Sequence, residues 1–224
     1  MKRIIFFLFF IVSGFSFSQD NIVIETGDFT EIKAFDGLTV NLIRSFENKV
    51  VVYGDDKDKV AVVNNDGRLK VRMTIGKIYG GKKTYVDVYH SKELDLIDAN
   101  EGAFISSTYK FIQTYMSLKV QEGGEIHVEV ETDKLDIRAV TAGKIEIKGK
   151  AVNQDVQITT GGKYEAEGLL TEQAKVVITT GGYAYINTTE YVEAKVKMGG
   201  TIKIYGNTRV IEKTVFIGGN IVEM

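Results

Sequence analysis

The chain has 224 residues, with 28 basic against 30 acidic side chains, 23 glycines, 11 tyrosines and 12 phenylalanines, and no cysteine, proline or tryptophan. Near-balanced charge excludes a dedicated nucleic-acid binder, which would carry a strong basic excess; the lack of cysteine excludes disulfides, thiol nucleophiles and thiolate metal sites. The lack of proline, where average usage would supply roughly ten, suits a sheet-rich chain whose backbone N–H groups are needed for ladders.

Residues 1–18 read as a secretory signal peptide. Lys2 and Arg3 precede an apolar run from Ile4 to Val12, and small residues at Ser16 and Ser18 frame a cleavage site before Gln19. The run is shorter than the ~20 residues of a membrane span. Without this leader 26 basic residues face 30 acidic ones, a net charge of −4. Export to the periplasm, the outer-membrane surface or the medium is expected.

Residues 19–28 form a lead-in, and 29–93 an irregular β region that caps the repeats after it. Leu38-Thr39-Val40-Asn41-Leu42 alternates apolar and polar residues, Val50 to Tyr53 is a β-branched run, and Asn65-Asp66-Gly67-Arg68 is a hairpin turn. Lys57 to Val63 reads as one or two helical turns, and the glycine- and lysine-rich stretch Lys77 to Lys83 as an exposed loop.

From residue 94 to 224 a repeat takes over. Val156-Gln157-Ile158-Thr159-Thr160-Gly161-Gly162 returns as Val176-Val177-Ile178-Thr179-Thr180-Gly181-Gly182. Weaker echoes align on Gly102, Gly124, Gly143, Gly162, Gly182, Gly200 and Gly219, at intervals of 22, 19, 19, 20, 18 and 19 residues. Two positions after the glycine stand Phe104, Ile126, Ile145, Tyr164, Ala184, Ile202 and Ile221. Four before it stand Val120, Ala139, Ile158, Ile178, Val196 and Val215. Such a phase-locked period predicts a single-stranded parallel β-helix with rungs of about 19 residues, each built from two or three short strands. Seven rungs span about 34 Å, right-handed by the parallel-crossover rule. The alternative is an antiparallel sandwich of hairpins. The glycines Gly124, Gly143, Gly162, Gly182, Gly200 and Gly219 are expected to supply positive φ at tight corners where a Cβ would clash. The last rung leaves a bare edge that Glu223 blunts or that a homo-oligomer covers.

In order, Phe29-Thr30-Glu31-Ile32, Gly37 to Leu42, Val50 to Asp55, Asp66 to Val71 and the serial glycine phrases resemble the auto-transporter adhesin head GIN domain family. These are secreted or surface β-solenoid proteins of Bacteroidetes-type bacteria. The chain departs from the family where a proline often precedes the first solenoid strand, here His90-Ser91, and at the degenerate first corner Asn100-Glu101-Gly102. The resemblance implies a fold and an extracellular setting; it supplies no catalytic residues.

Direct reading of the side chains also yields no catalytic, cofactor or metal assignment. His127 alternates outward, His90 sits at a strand end, and no second histidine stands at ligand spacing. Asp55-Asp56-Lys57-Asp58 reads as a solvated turn. Arg68, Lys70, Arg72, Lys77, Lys82 and Lys83 form a basic segment read as a solvated face. Lys144/Glu146 and Lys163/Glu165 read as ladder charges. Tyr183 and Tyr185 flank inward Ala184, and Tyr205 lies one rung on; the three are expected to make a flat, exposed stacking surface. The expectation is a non-catalytic, cofactor-free envelope protein that binds a surface glycan or an envelope protein. A β-helix polysaccharide lyase or glycosidase and a pure envelope scaffold are the competing classes.

Overall fold

Alternating apolar residues on both sides of a glycine corner leave each rung with one greasy face that it cannot bury alone; stacking identical rungs does so. The computed structural model, which describes residues 21–74 and 83–224, shows this solution. The fold is a parallel β-solenoid of about 7 turns with roughly 19-residue rungs. The leader reading (1–18) and most of the basic loop (75–82) lie outside the described residues.

The regular coil consists of β9 (Phe104–Val120), β10 (Glu125–Val140), β11 (Lys144–Thr159), β12 (Lys163–Thr180) and β13 (Tyr183–Met198). It closes with β14 (Thr201–Tyr205), β15 (Val210–Ile217) and β16 (Asn220–Glu223). The parallel register of β10 on β11 runs from Glu125↔Lys144 to Val140↔Thr159. Each turn is one long strand that bends while keeping its ladder, in place of the two or three short strands expected. The bends are local. In β10 the buried residues are even-numbered through Thr132 and odd-numbered from Leu135, with Asp133 and Lys134 both facing out. At other bends the pairing slips, as between Ala166 and Leu170 of β12.

Equal positions pile into inward columns. Val71, Ala34, Ala99, Val120, Ala139, Ile158, Ile178 and Val196 form one, all of them buried. Ile105, Ile126, Ile145, Tyr164, Ala184 and Ile202 form another. The first member corrects the sequence alignment: Ile105, not Phe104, enters this column, because Ala103 occupies the place that Gly124 takes one rung later. Tyr164 fits because its neighbour above is the small Ala184. Its buried hydroxyl donates to Gln154 Oε1 at 2.9 Å, and Gln154 Nε2 donates to Thr171 Oγ1 at 2.9 Å. A satisfied polar chain thus crosses the apolar interior, as burial of these groups requires.

The glycines need a second correction. Gly182, Gly200 and Gly219 do have positive φ, at 99°, 106° and 110°. At Gly124, Gly143 and Gly162 the left-handed residues are instead the two before, such as Thr160 (φ 53°) and Gly161 (φ 75°). Gly162 is demanded by the rung beneath it: a Cβ there would lie 2.3 Å from the Ala139 carbonyl oxygen.

Residues 29–93 are β and cap the coil, with two rungs of their own. β2 (Glu31–Ala34) and β3 (Thr39–Arg44) make a rung, as do β6 (Arg68–Met73) and β7 (Thr84–His90). The later of these lies outermost: β2 sits between β6 and β8 (Leu96–Ala99), and β3 between β7 and β9. The chain therefore runs out to the end and returns. β4 (Lys49–Gly54) and β5 (Val60–Asn65) cover that end as antiparallel edges on β7 and β6, and β1 (Ile22–Glu25) pairs β4. The predicted turn at Asp66-Gly67 joins β5 to β6, with φ of 50° and 83°. The expected helical turns shrink to a single 3-10 turn, Lys57–Lys59, before β5.

Candidate binding face

The first halves of the coil strands carry two outward columns, two residues apart along each strand. One reads Phe104, Glu125, Lys144, Lys163, Tyr183, Thr201. The other reads Ser106, His127, Glu146, Glu165, Tyr185, Lys203. Since the ladders hold neighbouring rungs at ~4.8 Å, these side chains form a continuous contact network.

Lys144 is its hub, with Nζ 3.6 Å from Glu125, 3.3 Å from Glu146 and 3.0 Å from Glu165. The hydrogen bond to Glu165, helped by the other carboxylates, raises the Lys144 pKa against the opposing effect of burial. Burial pushes the Glu165 carboxyl up, but hydrogen bonds from Lys144 and Tyr183 outweigh it, so Glu165 titrates below its ordinary value. His127 Nε2 lies 2.6 Å from Glu125 Oε1, and its ring meets Phe104 edge-on at 4.9 Å.

Tyr183 and Tyr185 point outward as expected, but their arrangement differs from a flat platform. Both are half-buried. Their rings stack on each other, centroids 5.0 Å apart at 23°. Lys163 Nζ lies over the Tyr183 ring at 5.7 Å and Lys203 Nζ over the Tyr185 ring at 4.9 Å. The Tyr183 hydroxyl donates to Glu165 Oε1 at 3.1 Å. Burial first, then this carboxylate, raises the phenol pKa. Ring faces are thus engaged with each other and with ammonium groups, the geometry that ring quadrupoles favour. Tyr205 stands apart on β14, opposite Asn187 and two positions beyond Lys203. Of the ladder charges expected between rungs, Glu165 pairs with Lys144 of the preceding rung, while Lys163 takes the tyrosine face.

Further along the strands, mid-strand bends of β9 to β12 frame a groove of ≈ 660 Å³ whose lining includes Ile112, Val152, Leu170, Glu131 and Lys150. Ile112 is 65% exposed and Leu170 43%. Counting from the glycines does not find them, although Leu169-Leu170 is a visible break in alternation. Of the basic segment, Arg68 is paired with Glu31. Asp55 and Asp58 of the acidic turn face Lys83 and Lys59 at 3.9 and 2.6 Å. Among the described residues no three His, Asp or Glu side chains converge as a metal site would need, and no helix is long and apolar enough to cross a membrane.

The fold has solved counterparts. An adhesin-type protein of Bacteroides fragilis, described as a "putative adhesin", superposes with a TM-score of 0.82 at 18% identity, covering 92% of this chain and 98% of that one. A "putative adhesin" of Parabacteroides merdae gives 0.68 at 24% identity, covering 92% and 95%. A "Putative lipid binding protein" of Parabacteroides distasonis gives 0.67 at 17% identity, covering 92% and 96%. No curated protein matches the sequence. The family model described as "Putative auto-transporter adhesin, head GIN domain" matches residues 28–208. With its serial glycine corners, its outward charged ladder and this match over most of its length, the chain belongs to the head GIN domain family.

Proposed function

We propose that the chain is an exported, non-catalytic binding module that holds a surface glycan along its outward ladder face, centred on Tyr183 and Tyr185. The observation that carries this reading is the row Lys163, Tyr183, Tyr185, Lys203, two stacked rings between two ammonium groups across three rungs. Phenol edges, ammonium donors and the carboxylates of Glu146 and Glu165 offer a hydroxyl-rich polymer both hydrogen-bond senses and apolar ring edges. The family's adhesin description and the leader-like residues 1–18 support an extracellular setting. A rigid ladder presents the same spacing at every rung, so weak contacts add along one polymer.

The test is binding of cell-surface polysaccharides on a glycan array. Wild type is expected to bind, and the Tyr183→Ala/Tyr185→Ala variant to lose binding while keeping its melting temperature within a few degrees. Release of reducing or unsaturated sugar from any bound polysaccharide overturns the non-catalytic reading. Concentration-dependent assembly without glycan binding favours an envelope scaffold. A second reading, an acyl chain in the groove, is favoured by the exposure of Ile112 and Leu170. It predicts that Leu170→Asp abolishes capture of a fluorescent fatty acid and leaves glycan binding intact.

A further inference from the structure

The connection from β7 to β8 is held to the first bend of the coil at two points: Gln113 Nε2 donates to the Leu94 carbonyl at 3.0 Å, and a buried histidine, His90, makes the other tie. His90 is completely buried. Phe29 and Phe111 flank its ring at 6.3 and 6.4 Å, the latter nearly parallel at 17°, and Tyr109 lies at 5.6 Å. Nδ1 stands 2.8 Å from the Lys92 carbonyl oxygen. A carbonyl only accepts, so Nδ1 carries the proton, and in the neutral ring Nε2 is the acceptor. That acceptor receives the hydrogen bond of the Tyr109 hydroxyl at 2.7 Å. The ring therefore ties the connector at Lys92 to β9 at Tyr109 using both nitrogens, so a second proton on Nε2 must displace the bond from Tyr109.

We propose that His90 is an acid-released buckle: its neutral form fastens the connector before β8 to the bend of β9 around Tyr109–Gln113, and its protonation unfastens them. Three features of the surroundings oppose the imidazolium. The ring is caged by apolar and aromatic groups, and an ion there loses its hydration. The Arg44 guanidinium of β3 donates to the same Lys92 carbonyl at 2.5 Å, so a second cation is already present. A proton on Nε2 would also reverse the bond to Tyr109 and leave that hydroxyl's hydrogen without its acceptor, at the cost of an unmade buried bond. The other ionisable groups around the site are Glu93 of the connector and Lys110 of β9, which line the same ≈ 190 Å³ cavity. Asp28, next to Phe29, faces Lys92 at 3.6 Å. Desolvation by burial lowers the His90 pKa below its ordinary value, outweighing the hydrogen bond to the Lys92 carbonyl that favours the cation, and Arg44 adds to the lowering. With the folded value below the unfolded one, the unfolded or opened state binds the extra proton. Stability is then full above the ordinary histidine range and falls as pH drops through it.

The bend matters because Ile112 and Gln113 line both the His90 cavity and the ≈ 660 Å³ groove. Unfastening frees one wall of that groove and exposes Phe111, while β11 to β13 keep their ladders.

Hydrogen–deuterium exchange of the full chain, corrected for intrinsic rates, tests this at about pH 7.5 and about pH 5. Protection of peptides covering 90–96 and 107–114 is expected to fall about tenfold or more in acid, with peptides of 144–160 unchanged. The Tyr109→Phe variant removes the hydroxyl that holds the neutral ring and leaves His90 in place; its transition is expected at higher pH than that of wild type. His127→Gln is expected to leave the transition where it was. Equal protection at both pH values overturns the proposal. So does a transition that Tyr109→Phe leaves unmoved, since carboxylates would then be responsible.

Discussion

Two stretches of this chain say the same thing and do different things. Ile158 to Gly162 and Ile178 to Gly182 are identical, Ile-Thr-Thr-Gly-Gly. In the first, Thr160 and Gly161 take left-handed φ of 53° and 75°, and Gly162 N–H donates to the Thr159 carbonyl at 3.4 Å, closing a tight turn. In the second, strand β12 runs on through Thr180, which pairs with Met198, and the left-handed pair moves one residue on, to Gly181 (63°) and Gly182 (99°). The five shared residues cannot be the cause. The first corner stacks against Thr141 and Ala142, themselves left-handed, and the second against a rung only 18 residues away. The glycines permit both shapes; the neighbouring rungs choose.

The residues after each phrase differ as well. After Gly162 the inward residue is Tyr164 and the outward ones are Lys163 and Glu165. After Gly182 the inward residue is Ala184 and the outward ones are Tyr183 and Tyr185. The coil places its bulk inside on one rung and outside on the next, which keeps the interior filled at constant rung spacing.

Gly182→Ala should have the largest effect. A Cβ there meets the Gly162 carbonyl oxygen at 2.4 Å and sits at φ 99°. Clash and backbone strain together predict a loss of about 4 kcal/mol by urea denaturation. Gly162→Ala carries the clash without the positive φ and should lose about 2–3 kcal/mol. Equal losses would mean that the two corners do not differ as described. Tyr164→Phe leaves the Gln154 carbonyl without its donor inside the coil and should cost about 1–2 kcal/mol; a neutral result would sink the internal polar chain. At the threonines the sign itself is the test. Thr160→Gly relieves a β-branched residue at positive φ and should stabilise by about 0.5–1 kcal/mol, whereas Thr180→Gly weakens an ordinary strand residue by about the same amount. The smallest effect belongs to the surface. Lys144→Ala removes the hub of three carboxylates, and the expected loss of about 0.5–1 kcal/mol should shrink in high salt.

Much of the fold was legible because stacking repeats one physical demand at fixed spacing. The column Val120, Ala139, Ile158, Ile178, Val196 needs nothing beyond counting from each glycine. The slip at Gly102 shows where counting fails: Ala103 stands in for a glycine, and the anchor moves by one. The bends escaped because a change of parity at Asp133-Lys134 looks like any polar pair. The stacking order of β6–β7 outside β2–β3 escaped because nothing local records which rung lies outermost. Tyr183 and Tyr185 were legible as outward residues, by alternation; their stacked pose between Lys163 and Lys203 was not, since both lysines come from other rungs. Nor was His90, whose partners Lys92 and Tyr109 meet only when the first bend closes over the connector.

The amino-acid sequence by itself determined the class of fold, the rung length and, away from the first corner and the bends, which side chains face in, because period-2 alternation and a repeated glycine corner are local properties of the chain. The shape of each corner, the order of the first rungs, the contacts of the tyrosines and the burial of His90 were decided by tertiary structure, because each depends on a neighbour about one rung away, whose distance in space is set by the ladder and not by the chain.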